Sequence, residues 1–344
     1  MNIKSIKLEN YTVFEKLSLD FNKGINVFIG ENATGKTHLM KLLYAACKSN
    51  RANTGFEEKI VRTMMPDEFR ISRLVTRTAG NRHAKVKILA SQNEQKAERQ
   101  LSIEFARNIK KWKAIVKGKE GWEKAFAEDS SVFIPAKEIL SHSYKLAAAT
   151  SVDNVRFDDT YIDIINLAKI DISVGKNPTL RSGLLKKIER ITGGKIQYDE
   201  KKDEFYLKQG NSKQEFNLVA EGIKKMGLLW QLAKNGTLES GSVLFWDEPE
   251  ANINPANLSL VAELLLELQR NGVQIFISTH NYFLAKYLDI KKTDQDDVSF
   301  YSFYYGAEEQ GVQCEINDQF TLLENNPITK TYLQIYRDEL GVVL

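Results

Sequence analysis

The stretch that most constrains this chain runs from Gly24 to Cys47, GINVFIGENATGKTHLMKLLYAAC. Ile25 to Ile29 is an apolar run of strand length, and Leu39, Leu42, Leu43 and Ala46 follow at helical spacing. Between them stand Gly30-Glu31-Asn32-Ala33-Thr34-Gly35-Lys36-Thr37, which fit G-x-x-x-x-G-K-[ST] at every position. A strand, a glycine-bounded turn and a helix in this order make a phosphate cradle. The glycines let successive N–H groups turn inward, and the helix N-terminus adds the positive end of its dipole. Residues 30 to 38, His38 included, are therefore expected to hold a nucleotide. Lys36 would reach its β- and γ-phosphates, and the Thr37 hydroxyl would join the Mg²⁺ shell. A chance glycine turn before a surface helix is the plainer alternative, and the strand and helix on either side count against it.

Two later stretches bear on the same chemistry. Gly241 to Glu250, GSVLFWDEPE, is an apolar strand that ends in Asp247 and Glu248. Both carboxylates should stand at the carboxyl edge of a central strand, where open α/β sheets bind their ligands. Asp247 suits the Mg²⁺ shell, and Glu248 suits the group that orients or deprotonates an attacking water. Val273 to His280, VQIFISTH, is a second buried strand closing on polar residues. His280, one strand from Asp247, is placed to touch a γ-phosphate. The strand–helix–strand order, with a helix over Leu258 to Arg270, argues a parallel sheet with helices on its faces.

The rest of the chain is read more coarsely. Ile3 to Leu8 and Leu17 to Phe21 alternate apolar and polar residues, as two strands joined around Asn10-Tyr11-Thr12. Tyr11 and Phe14 near that turn are expected in the core, with stacking on a base as the alternative. Lys85 to Ala90, Leu101 to Ala106 and Trp112 to Val116 read as strands of a β-rich lobe with loose connections. Ser131 to Pro135 is a fully apolar strand. Residues 139 to 195 have helical spacing up to Gly193-Gly194, and a hairpin follows with Lys195 to Tyr198 against Phe205 to Leu207. Phe216 to Lys234 reads as one glycine-interrupted helix.

Hydrophobic residues make up 42% of the 344 positions, and mean hydropathy is −0.36. No run approaches a membrane span and no signal-peptide pattern opens the chain. The two cysteines, Cys47 and Cys314, suggest neither a metal nor a disulfide. A cytoplasmic protein with no membrane partner is expected. Net charge is only +3, yet residues 51–125 hold 18 Lys and Arg against 9 Asp and Glu. Such a segment can follow a nucleic-acid backbone, although a solvated face is the plainer reading.

Taken in order, Gly30 to Thr37, Val243 to Glu250 and Ser278 to His280 resemble the ABC-type ATPases of the SMC, RecF and OLD group. They are most similar to its small stand-alone prokaryotic "AAA family ATPase" members, many of which occur in phage-defence and toxin-type operons. Ile6 to Phe14 also looks like this family's first strands. The resemblance implies one P-loop head of ABC-ATPase type over 1–344, with a mixed or parallel sheet and flanking helices. Its nucleotide core would be 1–50 and 216–288, its β-rich basic lobe 51–138, its helical lobe with hairpin 139–215, and its C-terminal extension 289–344. It also implies ATP and Mg²⁺, catalysis by Glu248, His280 and Lys36, and two heads that sandwich two nucleotides as a homodimer.

The signature segment, which meets the other head's γ-phosphate, falls on Val219 to Lys225. Gly222 fits the pattern, Ala220 replaces the usual serine, and Glu221 brings a negative charge. Asn252 to Pro255, with Asn254, falls where the family has its interface-crossing D-loop. Pro135 to Glu138 falls at the Q-loop but has no glutamine, and Ala33 replaces a frequent glycine. Nothing else in the chain looks catalytic, so the expected output is a separately encoded partner, and the resemblance implies an effector, a nuclease or toxin, in antiviral defence. The alternatives are a RecF-like DNA repair ATPase reading DNA through the basic lobe, and a module in which ATP is only structural.

Overall fold

The computed structural model describes residues 1–50, 55–77, 80, 82–92, 97–107, 109, 113–144, 157–170, 179–306 and 311–341. The chain opens with β1 (Asn2–Tyr11) and β2 (Phe14–Asp20), whose alternate residues are buried, and continues into β3 (Ile25–Gly30), buried throughout. That contrast separates two sheets. Strands with one wet face join an antiparallel sheet, and strands apolar on both faces join a covered parallel one.

The antiparallel sheet has the order β2-β1-β4-β5-β6, with β4 at His83–Ser91, β5 at Arg99–Ala106 and β6 at Ile115–Lys117. The first hairpin, expected with the nucleotide core, thus pairs into the sheet of the β-rich segment. That segment also contains two helices the strand pattern conceals, α2 (Phe56–Met64) and α3 (Lys119–Phe126). Phe56 and Ile60, and Trp122 and Phe126, are spaced i, i+4 and fully buried, so helix is what covers them. Trp112, expected to begin a strand, lies outside the described residues, and β6 starts at Ile115.

The second sheet runs β14-β13-β3-β12-β11-β7. Its strands are β7 (Ser131–Ile134), β11 (Val243–Asp247), β12 (Gln274–Ser278), β13 (Val298–Tyr305) and β14 (Val312–Asn317) around β3. All pair in parallel except β14. One face is aromatic, with Phe28, Phe133, Phe245, Phe276 and Tyr301, and packs on α1 (Lys36–Lys48), which lies between the two sheets. The other face is aliphatic, with Ile25, Val27, Ile29, Leu244, Ile275 and Ile277. It is covered by α4 (Asp159–Ala168), α5 (Thr179–Thr192), α6 (Glu221–Lys234), α7 (Leu258–Arg270) and α8 (Tyr282–Lys291).

A three-stranded sheet, β8 (Lys195–Asp199), β9 (Glu204–Gln209) and β10 (Ser212–Glu215), extends the expected hairpin by one strand. The expected single helix from Phe216 is broken at Val219 and Ala220, which are extended, and α6 begins only at Glu221. Its two glycines do not interrupt it. A Cβ on Gly227 would lie 2.5 Å from the Ile196 side chain, so this position must stay small for β8 to dock. The last helix, α9 (Pro327–Leu340), has no buried residue.

Two polar clusters tie these layers together. Gln274, at the start of β12, accepts from the Ile3 N–H at 2.7 Å and donates to the carbonyls of Ile3 and Asn22 at 2.9 and 2.8 Å. It is 2% exposed and joins the start of β12 to the start of β1, linking the two sheets. On the other side of α1, Tyr44 donates to Asp163 at 2.6 Å and Lys41 pairs with Asp158 at 2.8 Å. Lys59 of α2 bridges Asp159 and Asp163 at 2.7 and 2.8 Å. These contacts fasten α1 and α2 to α4.

Gln274→Leu fills the same space but strands one buried donor and two carbonyls. It should lower unfolding stability by about 3 kcal/mol in a urea titration, since each orphaned group costs ~1–3 kcal/mol.

Candidate functional site

The parallel register decides where the chemistry gathers. Asp247 stands beside Ser278, and Ser278 beside Phe28, so β11, β12 and β3 end together at one edge. Gly30 leaves that edge with φ 137°. A Cβ there would fall 2.1 Å from the Phe303 carbonyl oxygen, so strand β13 admits only glycine. Gly35, at φ 88°, would drive a Cβ to 2.7 Å from the Phe14 ring. Ala33 takes φ 63° although it carries a Cβ, at a cost of roughly 1–2 kcal/mol. Tyr305 donates to its carbonyl at 3.0 Å and helps to hold it there.

Lys36 closes the turn on itself. Its Nζ donates to the carbonyls of Gly30 and Glu31 at 3.1 and 2.7 Å. Thr34 also donates to the Glu31 carbonyl, at 2.8 Å. Burial pushes the Lys36 pKa down to about 8, against the nearby charges of Asp247, Glu248 and Glu31. Glu31, Asn32 and His38 are exposed around the turn.

Thr37 Oγ1 donates to the Asp247 carboxylate at 3.1 Å, and Ser278 Oγ donates to the same group. Two hydroxyls and a carboxylate form an all-oxygen set of the kind a hard divalent cation takes, together with substrate phosphates. Among the described residues no group of three or more His, Cys, Asp and Glu could hold a metal unaided. Glu248 follows in the left-handed region at φ 48°, its N–H donating to the Ser278 carbonyl at 3.0 Å. His280 is exposed just past β12. Desolvation and the charge of Lys36 lower its pKa, with Glu248 and Asp247 opposing.

Lys36, Thr37, Asp247, Glu248 and His280 thus come together. Ala220, Glu221, Gly222 and Asn254 form a separate group. Glu221 accepts from the Asn252 side chain, and a Cβ on Gly222 would lie 2.2 Å from the Asn252 carbonyl oxygen. Asn254 caps a short 3-10 turn by accepting from the Ala256 N–H at 3.0 Å. Tyr11 and Phe14 are fully buried against Phe105 and Phe303, so base stacking by either ring is ruled out.

Sequence reasoning missed several groups. Arg73 and Arg77 join Val13 and His38 along an open cleft beside the turn. Glu250 accepts from Thr279 Oγ1 at 2.7 Å and from the His280 N–H at 3.2 Å. Lys225 donates to the Glu248 carbonyl at 3.0 Å. A lysine on the apolar side of α6 was the available signal for Lys225. The arginines leave none in the sequence.

A family model described as "AAA domain, putative AbiEii toxin, Type IV TA system" matches residues 25–286. The chain belongs to this family. A DNA replication and repair protein RecF from Lysinibacillus sphaericus (strain C3-41) is 42% identical over 62 residues, 18% of this chain and 17% of that protein. Another RecF, from Exiguobacterium sp., is 53% identical over 53 residues, 15% and 14% of the two lengths. The chain therefore spans less than a fifth of the length of these relatives.

Among solved structures, an Smc head bound to the C-terminal winged-helix domain of ScpA superposes with TM-score 0.61 and 13% identity, covering 93% of this chain and 99% of the head. An Smc head with coiled coil and joint from Pyrococcus yayanosii gives 0.59 and 10%, covering 97% and 99%. The fold is that of an ABC-type ATPase head, as in these Smc structures, and the family that matches is an AAA-domain family. Among the described residues, no helix is long and apolar enough to cross a membrane.

The lowered Lys36 pKa fixes the sign of a pH effect. Above about 8 the free protein loses this proton, whereas a phosphate-bound ammonium keeps it. ATP affinity measured by calorimetry should be flat below roughly pH 7.5 and weaken by up to about tenfold per unit above pH 8. A constant Kd up to roughly pH 9.5 contradicts this.

Proposed function

We propose that this protein binds Mg²⁺–ATP and hydrolyses it, that two copies close around two nucleotides, and that closure controls a separately encoded effector in antiviral defence. The observation that carries the reading is the row of Lys36, Thr37, Asp247 and Glu248 at one sheet edge. Lys36 and the N–H groups of residues 33–37 would bind the phosphates. Thr37 and Asp247 would hold the cation, which when bound neutralises phosphate charge. Glu248 would orient the attacking water and take its proton, and His280 would donate to the γ-phosphate.

The dimer reading is supported by the second group of residues. Gly222 opens α6, whose N-terminus offers an anion site to a partner head, and Asn252 to Asn254 lie against it. No serine hydroxyl assists there, because Ala220 stands in its place. Control of an effector is supported by the family description, with its reference to toxin systems, and by a related head that is bound by a second protein. A cytoplasmic location fits a domain of this class.

Glu248→Gln should bind ATP and accumulate as a dimer with ATP and Mg²⁺, seen as a doubled mass in light scattering. Lys36→Ala should stay monomeric with ATP binding lost. A Glu248→Gln protein that remains monomeric under ATP sinks the sandwich model.

A second reading, a RecF-like ATPase acting on DNA, is favoured by one observation on the antiparallel sheet. Its outer face carries the cross-strand row Ser18–Lys7–Lys87–Ser102–Lys117. The next row, Lys16–Glu9–Lys85–Glu104–Ile115, is balanced in charge. Lysines side by side repel one another, and a polyanion relieves that cost. Replacing Lys7, Lys87 and Lys117 by Gln should lower the slope of log K against log salt for duplex DNA by about 2–3. An unchanged slope removes this reading.

A further inference from the structure

Lys225 has no part in the site as described, yet it is one of the most deeply buried large side chains, 2% exposed. Burying an ammonium is costly, and a methionine would fill the same space at the core side of α6. The charges nearest to it are Glu250, Glu248, Asp247 and Glu221, which favour the ammonium, while burial lowers its pKa. Its ammonium donates not to a carboxylate but to the main-chain oxygen of Glu248, at 3.0 Å.

That oxygen belongs to a residue under strain. Glu248 is left-handed at φ 48°, and such a backbone persists only where its surroundings hold it. The Ser278 carbonyl takes its N–H at 3.0 Å, and the Ala251 N–H reaches its carbonyl at 3.1 Å. Lys225 supplies a further restraint, and among the described residues the only hydrogen bond to Glu248 from α6. The same turn of α6 grips the loop again through Glu221 on Asn252 and through the close approach of Gly222 to the Asn252 carbonyl. The start of α6 and the loop from Glu248 to Asn252 are therefore held together at three points.

We propose that Lys225 is a positioning residue for hydrolysis, which fixes the backbone of Glu248 and makes the aim of its carboxylate answer to what docks on the N-terminus of α6. This rests on the ATPase reading above. In the closed dimer the docking group is the γ-phosphate of the partner's nucleotide. Engagement by the partner is then felt at the residue that activates water, through one helical turn and one hydrogen bond. Hydrolysis becomes conditional on closure without any catalytic group crossing the interface.

Steady-state ATPase and calorimetric ATP binding of Lys225→Met, Lys225→Arg and Glu248→Gln, each with a thermal unfolding curve, test this. Lys225→Met should lower kcat roughly 30- to 100-fold, the effect of a misaimed group, with Kd for ATP within about threefold of wild type. Lys225→Arg, which keeps a charged donor, should recover kcat to within about fivefold. If Lys225→Met does not fold, Lys225→Gln carries the same comparison with a kcat loss of about tenfold. A folded neutral variant with wild-type kcat overturns the proposal, as does a loss confined to KM. Wild-type protein without turnover, or Glu248→Gln as active as wild type, overturns the ATPase reading and this proposal with it. Wild-type turnover, inert Glu248→Gln and unimpaired Lys225→Met overturn this proposal alone.

Discussion

Everything functional here depends on the parallel pairing of β3, β12 and β11. Parallel strands must all end at the same side, so one edge collects the turn after Gly30, the Asp247–Glu248 pair and the Ser278–His280 segment. The strands carry little chemistry of their own. Their register brings Thr37 within hydrogen-bond reach of Asp247 and lays Ser278 against the same carboxylate. A one-residue slip of β11 would turn Asp247 to the opposite face and take the oxygen set apart.

The sheet earns that precision by being packed differently on its two sides. Interlocking aromatic rings face α1, and branched aliphatic chains face the helices of the other layer. The aromatic side holds the helix that carries Lys36 and Thr37, and the aliphatic side holds α6. The two helix N-termini suited to anions thus lie on opposite layers of one sheet. The proposed two-headed sandwich would use both.

Much of this was legible from residues alone. The loop from Gly30 to Thr37, the strands at Val243 and Gln274 and the helix at Leu258 each combine a strong period with a clear stop signal. The helices α2 and α3 were not legible, because two buried anchors each are too few to show a 3.6-residue period among lysines and glutamates. The break before α6 lies at Val219-Ala220, which carry no breaker, whereas Gly222 and Gly227 mislead because their cause is a neighbour's backbone and side chain. Lys225 meets a main-chain oxygen, and Glu250 the Thr279 hydroxyl and the His280 N–H, partners distant in sequence. The lysine row across β1, β4 and β6 exists only once register is known.

The ionic contacts of α1 with α4 have a mechanical meaning. The helix that begins at Lys36 is tied at two mid-helix positions to α4, through Lys41 to Asp158 and Tyr44 to Asp163, with Lys59 of α2 as a cross-brace. A dense aromatic bed leaves α1 no room to flex within the core. A shift of its first turn that kept these contacts intact would have to carry α4 with it.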